Sequence, residues 1–465
     1  MRSFRDTHLA SLFAIVGVAC TTGPLLAAPA SPAGPTGKEI LKHAIAVPTV
    51  EGRGKVKELA DYFATILRGA GYKDSEMVWT PIGETGIFTV TLKGRDASAK
   101  PILVNGHMDV VEAKAEDWTR DPFTPVEEGG YIFGRGSEDN KYDVSLIVAT
   151  MAKLKRENYV PRQDLVMVLT GDEETHMRTA AAAAQTWRNA EMFINGDGGG
   201  GLLDEQGQPT MYLLQAGEKT YADFTVTLTD PGGHSSAPTA TNPIYRMGHV
   251  LARLEAYKFP PMQNELTRAS LTVAAESFGA EVGSSIRAFL ANPRDNAAAD
   301  KISTLPELIG QVRTTCVATM MSGGHALNAL PQRASININC RIFPGVSVDS
   351  VKAELTKVIA DPSAKIETVD QPTSSDASPL RPDVVKAVTA AVQARYPGIR
   401  VVPAMSAGAT DSLYFRALGV PSYGVSTLFM KPDDGFAHGL NERVPSGGIE
   451  AAQKQWYDLL KALTK

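Results

Sequence analysis

Segments with helical and with strand-like patterns of apolar residues alternate along the first half of this chain, and no other feature restricts its fold as strongly. Apolar residues recur at helical spacing in residues 55–72 and 143–158, whereas residues 86–94, 101–110 and 163–174 have strand patterns. Neighbouring parallel strands need a long crossover connection, which is usually a helix. We therefore predict an α/β fold whose sheet is mostly parallel and covered by helices.

The pattern changes near residue 219, where half-exposed strand patterns and amphipathic helices begin to alternate. Patterns like those of the first half return after a polar stretch rich in Ser at 370–380. A chain of 465 residues also exceeds what one hydrophobic core usually organises. We predict a main domain formed by residues 31–218 and 372–465, interrupted by an inserted α+β domain at 219–371.

Residues 1–30 have the pattern of a secretory signal peptide, with two arginines, a short apolar stretch and small residues near the expected cleavage site. A membrane anchor is disfavoured because the apolar stretch is too short and Gly23-Pro24 interrupts it. A lipoprotein anchor at Cys20 is disfavoured because Gly17 stands where a larger aliphatic residue is usual. We expect an exported protein, periplasmic or secreted.

The composition excludes some partners and leaves one question about the cysteines open. A net charge of −5 provides no basic surface for nucleic acid, and no stretch after the leader is apolar for long enough to span a membrane. Removal of the leader leaves Cys316 and Cys340. These two can form a disulfide in an exported protein, or Cys340 can remain a buried thiol in its strand, and the sequence does not decide between the two.

Histidines and carboxylates stand at the ends of predicted strands or in glycine-rich loops, where open α/β sheets form their ligand sites. Imidazole and carboxylate are ligands that zinc prefers. Each residue alone also has an ordinary interpretation as a helix cap, a turn residue or a solvated charge. The candidates are His107, Asp109, Asp139, Glu173, Glu174, Asp197 and His438.

Six short motifs occur in one order along the chain: GHMDVV, GRGSEDNK, GDEE, NGDGG, GGHSSAP and AHGLNE. Their order and separations resemble those of the M20 family of zinc-dependent metallopeptidases, which includes carboxypeptidases, dipeptidases and amino-acid deacylases. The resemblance extends from about residue 38 to the end of the chain. It implies a catalytic domain with two zinc ions and an inserted ferredoxin-like domain that serves for dimerisation and as a lid.

The resemblance also assigns the ligands. It makes His107 and Asp197 ligands of one zinc ion, Glu174 and His438 ligands of the other, and Asp139 the carboxylate that bridges the two. Three ligand carboxylates and a bridging hydroxide would balance the four positive charges of two Zn²⁺ ions per chain.

Two further carboxylates receive roles in the same way. Asp109 would orient His107, and Glu173 would accept a proton from the attacking water and pass it to the leaving amine. The resemblance also implies a cis peptide bond between Asp139 and Asn140, although Asn140 departs from the residue that is usual in the family.

A third implied residue acts between subunits. In relatives, the histidine that matches His234 reaches the active site of the neighbouring subunit, so the match implies a homodimer formed through residues 219–371. The alternative is an ordinary loop histidine beside a Gly-Gly turn.

Three residues are candidates for binding the substrate. Asn328 and Arg341 match a family segment near the substrate, and a guanidinium can hold a carboxylate with two parallel hydrogen bonds. Gly408 lies in a loop that resembles the family's glycine loop and could present a backbone N–H. The alternatives are a structural ion pair for Arg341 and an ordinary turn at Gly408.

The predicted function is zinc-dependent hydrolysis of an amide bond next to a free α-carboxylate, by a metallo-carboxypeptidase or dipeptidase. Asp rather than Glu at position 197 resembles the peptidase members. The alternative is an N-acyl amino acid hydrolase, whose substrate also ends in a free α-carboxylate. A binding protein that has lost catalysis is disfavoured because Glu173 and all candidate ligands are present.

Overall fold

The structure is a computed structural model that describes residues 34–465. The predicted signal peptide and Cys20 lie outside the described residues. Within residues 34–465, no helix combines the length and the hydrophobicity needed to cross a bilayer.

The helices begin where the sequence provides caps. Thr36 precedes the first helix and forms a capping box with Glu39, and Asn242 accepts hydrogen bonds from two N–H groups of the fifth helix. In the described part of the chain, the helices are α1 (Gly37–Ala46), α2 (Val56–Gly69), α3 (Lys141–Arg156), α4 (Arg178–Thr186), α5 (Pro243–Ala256), α6 (Glu265–Ser277), α7 (Ala280–Ala291), α8 (Asn296–Ile302), α9 (Pro306–Val312), α10 (Val348–Ile359), α11 (Pro382–Arg395), α12 (Ser412–Ala417) and α13 (Ile449–Leu463).

The strands form two main sheets and two small ones. In chain order they are β1 (Met77–Ile82), β2 (Thr85–Leu92), β3 (Ile102–His107), β4 (Val126–Glu128), β5 (Tyr131–Phe133), β6 (Leu165–Thr170), β7 (Met192–Asn195), β8 (Gly200–Leu203), β9 (Pro209–Glu218), β10 (Thr220–Thr229), β11 (Gly233–His234), β12 (Thr315–Gly323), β13 (Ala329–Leu330), β14 (Arg333–Ile342), β15 (Lys365–Val369), β16 (Arg400–Ser406), β17 (Ser422–Gly424), β18 (Phe429–Met430) and β19 (Arg443–Pro445).

The large sheet has the order β1-β2-β6-β3-β7-β17-β9-β8-β18, with β16 paired to β9. The central strands β6, β3, β7 and β17 are parallel, which confirms the predicted α/β fold. The sheet is mixed: β16 also pairs parallel with β9 and β18 with β8, whereas β1, β2, β8 and β9 form antiparallel pairs. The short connections from β1 to β2 and from β8 to β9 are hairpins, and a hairpin joins antiparallel strands.

Both faces of the central strands are buried, as their continuous apolar sequences require. Ile102 and Val104 of β3 pack on the face covered by α1, α2, α3 and α13, and Leu103 packs on the opposite face with residues of α4 and α12. The alternation follows from the two-residue repeat of a strand. The sheet therefore holds β3 rigidly on both sides up to its last residue, His107.

The second main sheet lies within the predicted insertion and has the antiparallel order β12-β14-β10-β15. Helices α5 and α10 bury Met247, Val250 and Leu355 against it. The βαββαβ connection and this strand order are ferredoxin-like. Cys316 of β12 and Cys340 of β14 are directly opposite each other and form a disulfide, which decides between the two alternatives left by the sequence.

Helices α6 to α9 were not anticipated in the sequence analysis. They interrupt the ferredoxin-like unit between α5 and β12 and bury a core of their own around Leu271, Ile286 and Phe289. Helix α6 also packs against β16 of the large sheet, and its Leu266 joins the main core. Part of the sequence range 219–371 therefore contacts the main domain extensively.

Candidate metal centre

The carboxyl ends of three neighbouring strands bring candidate ligands to one edge of the large sheet. Strand β3 lies between β6 and β7, is parallel to both, and ends at His107. The loop after β6 carries Glu173 and Glu174, and the loop after β7 carries Asp197. Because these loops leave the same edge, the side chains converge.

Asp139 lies between the two histidines. Its Oδ1 is 2.8 Å from Nε2 of His107, and its Oδ2 is 3.3 Å from Nε2 of His438. Nε2 of His438 is also 2.8 Å from Oε2 of Glu174. The peptide bond between Asp139 and Asn140 is cis, which confirms that prediction. Each oxygen of Asp139 thus faces a different imidazole, as in a carboxylate that bridges two cations.

The donor atoms fit a centre for metal ions. One potential ligand atom from each of His107, Asp139 and Glu174 lies within 4.8 Å of the others, and the same is true of His107, Glu173 and Asp197. Imidazole nitrogen and carboxylate oxygen suit zinc. Glu173 therefore also lies within reach of a cation, although the sequence analysis gave it only a proton-transfer role.

The carboxylates of the cluster would be stabilised by added positive charge. Burial raises the pKa of Asp197 well above its usual value, and the carboxylate of Asp139 adds to the effect. Burial likewise raises the pKa of Glu173. Hydrogen bonds to Asp139 and Glu174 raise the pKa of His438 to about 10. Carboxylates crowded in this way are stabilised by protons or by a metal ion that replaces them.

Asp109 contacts both His107 and the loop after β6. Nδ1 of His107 lies 3.5 Å from Oδ1 of Asp109 and 3.1 Å from its carbonyl oxygen. The two carboxylate oxygens of Asp109 also accept hydrogen bonds from the backbone N–H groups of Glu173, at 3.1 Å, and Glu174, at 3.0 Å. One carboxylate therefore positions an imidazole and the backbone of two acidic residues.

Glu442 is a functional residue that the sequence analysis missed. It is fully buried, and its Oε2 accepts hydrogen bonds from Nη1 of Arg135 (2.6 Å) and N of Gly136 (2.9 Å). Its Oε1 accepts from N of Glu138 (2.7 Å) and N of Asp139 (3.2 Å). Glu442 thus fixes the loop that presents the bridging carboxylate. The motif AHGLNE contains it, but no local pattern shows that it is buried.

Asp411 is a second missed residue. Its buried carboxylate accepts hydrogen bonds from the side chains of Asn105 on β3, at 3.2 Å, and Thr170 at the end of β6. Burial raises its pKa to about 6. Gly408 was the only candidate predicted in this loop, whereas Asp411 contacts the ends of two strands that carry or precede candidate ligands.

Arg341 and the loop of Gly408 lie together. Nη1 of Arg341 donates to the carbonyl oxygen of Ala407 at 3.4 Å, and its guanidinium lies 4.7 Å from the ring of Tyr221. Among residues 34–465, no carboxylate oxygen lies within 4.0 Å of its nitrogens. The nearest charge effect is on Asp223, whose pKa Arg341 helps to lower without a direct contact.

His234 and Asn328 lie side by side on the surface of the predicted insertion. Strand β11, which ends at His234, pairs with β13, and N of Ser235 donates to the carbonyl oxygen of Asn328 at 3.0 Å. Both residues are exposed. The side chain of His234 contacts Ser236, at 2.7 Å, and forms no hydrogen bond with the metal cluster among the described residues.

An α/β sheet with His107 and several carboxylates at its strand ends, and with His438 in a loop beside them, is typical of a metal-dependent hydrolase. The sequence model of peptidase family M20/M25/M40 matches residues 103–462, and the chain belongs to this family.

Relatives and solved structures agree with this membership. The human N-fatty-acyl-amino acid synthase/hydrolase PM20D1 is 27% identical over 450 residues, which cover 91% of this chain and 87% of that protein. Carboxypeptidase S of Saccharomyces cerevisiae is 28% identical over 327 residues, covering 65% and 55%. The M20 family metallo-carboxypeptidase Sso-CP2 from Sulfolobus solfataricus has the same fold, with a TM-score of 0.67, 20% identity and coverage of 91% and 98%.

Proposed function

We propose that the protein is a dinuclear zinc amidohydrolase that cleaves an amide bond next to a free α-carboxylate, as a carboxypeptidase or dipeptidase. The observation that carries the proposal is the position of Asp139, whose two oxygens face two different histidines. His107 and Asp197 would hold one ion, and Glu174 and His438 the other. When bound, the two ions would acidify a water molecule and polarise the scissile carbonyl.

Glu173 is the proposed proton shuttle. It is adjacent to the ligand Glu174, and Asp109 binds the backbone N–H groups of both, so its position is fixed by the same contacts that position the ligand. A buried carboxylate with a raised pKa can accept a proton from water and deliver it to the leaving amine. Its reach toward His107 and Asp197 supports this role.

Arg341 and Gly408 are proposed to hold the free α-carboxylate of the substrate. The guanidinium makes no direct contact with a carboxylate among residues 34–465 and lies beside the 406–412 loop. It is therefore available for a bidentate contact with a substrate carboxylate. Asn328 is proposed to contact the substrate from the inserted domain.

An N-acyl amino acid hydrolase is the alternative, and a specific observation keeps it open. The human relative is named as a hydrolase of N-fatty-acyl-amino acids, whereas carboxypeptidase S and Sso-CP2 are named as carboxypeptidases. Both kinds of substrate end in a free α-carboxylate, which Arg341 could bind in either case.

A single experiment tests the metal and the activity. The metal-free chain is reconstituted with zinc, its metal content is measured, and it is assayed against dipeptides, longer peptides and N-acyl amino acids with and without chelator. We expect about two zinc ions per chain and hydrolysis that chelation abolishes. A reconstituted chain that binds no zinc contradicts the proposed mechanism.

We also propose that the protein is exported and works as a homodimer formed through residues 219–371. The leader pattern and the disulfide between Cys316 and Cys340 support export, because disulfides persist in oxidising compartments. The exposed apolar edge of β12 and the exposed position of His234 support a dimer in which His234 acts in the partner's site.

A further inference from the structure

A cavity of about 350 Å³ opens beside the cluster of candidate metal ligands. Asp139 and Asp197 line it together with the apolar side chains of Leu202, Leu428 and Met430. Leu202 on β8 and Met430 on β18 are directly paired residues at the edge of the large sheet. The cavity thus extends from the candidate ligands along an apolar strand pair.

The polar side chains that line this apolar part are already bound to protein groups. The hydroxyl of Ser426 donates to Asp143 at 2.5 Å, and the ammonium of Lys431 donates to the carbonyl oxygen of Glu205 at 2.6 Å. Of the lining residues, Lys431 is the one with a cationic side chain. The cavity therefore offers no unengaged cation to a substrate carboxylate.

The proposed carboxylate site lies elsewhere. Neither Arg341 nor any residue of the 406–412 loop lines the cavity. In the proposed function, Arg341 holds the free carboxylate of the substrate and the amide bond lies at the candidate ligands. The acyl side of the substrate then needs a further binding site. The cavity adjoins the same cluster and is the apolar space that this part of the substrate can enter.

We infer that the cavity receives the acyl-side group of the substrate, and that the group it takes is uncharged and apolar. The inference rests on the proposed function and narrows its substrate class. A negatively charged acyl group is disfavoured because Lys431, the cationic side chain of the lining, is already bound, and because Glu138 adds a carboxylate that is not a proposed zinc ligand. The volume is at the lower end of the roughly 300–1,000 Å³ that ligand sites span, so it suits one side chain or a medium acyl chain.

The test compares substrates that carry different acyl groups on the same amino acid. The amino acid chosen is the one whose N-acyl derivatives the zinc-reconstituted chain hydrolyses fastest. We expect kcat/KM for the N-octanoyl compound to exceed that for the N-acetyl compound at least about tenfold, since a single methylene in an apolar pocket can change it this much. The N-succinyl compound should be the poorest substrate. Calorimetric Kd values for N-octylsulfonyl and N-methylsulfonyl analogues, which are not hydrolysed, give a second measurement.

Substitutions that fill the cavity should remove the preference for the octanoyl over the acetyl compound. Leu202→Trp should reduce the octanoyl-to-acetyl ratio of kcat/KM at least about tenfold, and Leu428→Trp provides an independent second variant. Val160→Trp is the matched control, because Val160 is exposed and lies in the loop before β6, at the strand end away from the metal cluster. Its ratio should equal that of the wild type.

The outcomes separate the inference from the proposed function. If amides are hydrolysed but both folded filling variants keep the wild-type ratio, or the succinyl compound is preferred, the inference is overturned and the proposed function stands. If the chain binds zinc and hydrolyses no amide, the proposed function fails. The sulfonyl analogues then test the role of the cavity separately. Tighter binding of the octyl compound than of the methyl compound, lost in Leu202→Trp, supports the inference. Equal Kd values for the two compounds overturn it.

Discussion

At the scale of single residues, two carboxylates that are not candidate ligands hold the loops that carry the ligands. Asp109 binds the N–H groups of Glu173 and Glu174, and Glu442 binds those of Glu138 and Asp139. Charge-assisted hydrogen bonds of this kind are shorter and stronger than neutral ones. The geometry of the cluster therefore depends on buried acids that a list of ligands leaves out.

Glu173→Gln should separate proton transfer from metal binding. The amide cannot accept the proton of the water, so we expect kcat to fall by about 10²- to 10⁴-fold while zinc content stays at the wild-type value. Glu174→Gln is the matched control and should lose zinc, because it removes a ligand. Loss of zinc from Glu173→Gln together with its retention in Glu174→Gln would mean that the two roles are exchanged.

Glu442→Gln should destabilise the fold and weaken metal binding. The new amide N–H₂ cannot accept a hydrogen bond, and the buried charge of Arg135 loses its partner, so we expect a loss of about 3–5 kcal/mol in the free energy of unfolding. Zinc affinity should fall by about 10- to 100-fold, as for other residues that support ligands. Urea unfolding and zinc titration measure the two effects.

The exposed Glu450 on α13 gives the control for this prediction. Glu450→Gln should change the free energy of unfolding by no more than about 0.5 kcal/mol, because surface substitutions usually have small effects. A Glu442→Gln variant that behaves like this control contradicts the role given to Glu442.

At the scale of elements, β12 is an edge strand with an unusual surface. Val317, Met320 and Met321 on it are 59%, 73% and 54% exposed, and its other side pairs with β14. Exposed apolar edges invite pairing with another chain. The disulfide between Cys316 and Cys340 fixes this strand to its neighbour, so the edge is presented in one register.

Met320→Lys should therefore weaken the proposed dimer. A charge at an exposed edge opposes strand pairing, so we expect the dimer dissociation constant, measured by sedimentation, to rise at least about tenfold. The melting temperature should be unchanged at concentrations where both chains are monomeric. Val160→Lys replaces another exposed apolar residue away from this edge and should leave the constant unchanged. A wild-type chain that is monomeric at every concentration contradicts the dimer.

At the scale of the whole molecule, the exposed His234 predicts complementation between inactive variants. If His234 serves the partner's site, a heterodimer of Glu173→Ala and His234→Ala chains has one site with both defects and one with neither. Random mixing of equal amounts should then restore about a quarter of the wild-type activity by symmetry counting. If His234 serves its own chain, every site keeps one defect. Continued inactivity after subunit exchange, verified by mass, excludes the shared site.

The sequence alone was sufficient for the features that depend on local pattern. Apolar periodicity located β2, β3 and β6 and the helices α2 and α3, because side-chain burial repeats with the period of each element. The positions of His107, Glu174 and Asp197 at or after strand ends placed them at one edge of the sheet, since parallel strands share that edge. The structure brings these residues together with Asp139 and His438.

Only the tertiary structure decided which distant residues meet. The burial of Glu442 and Asp411, the disulfide between Cys316 and Cys340, and the packing of α6 against β16 all join positions far apart in the chain. The antiparallel pairing of β1, β2, β8 and β9 was missed for the same reason. A local pattern records whether a residue is buried, but its partner is set by how the strands are ordered and how the helices pack, and no single segment contains that information.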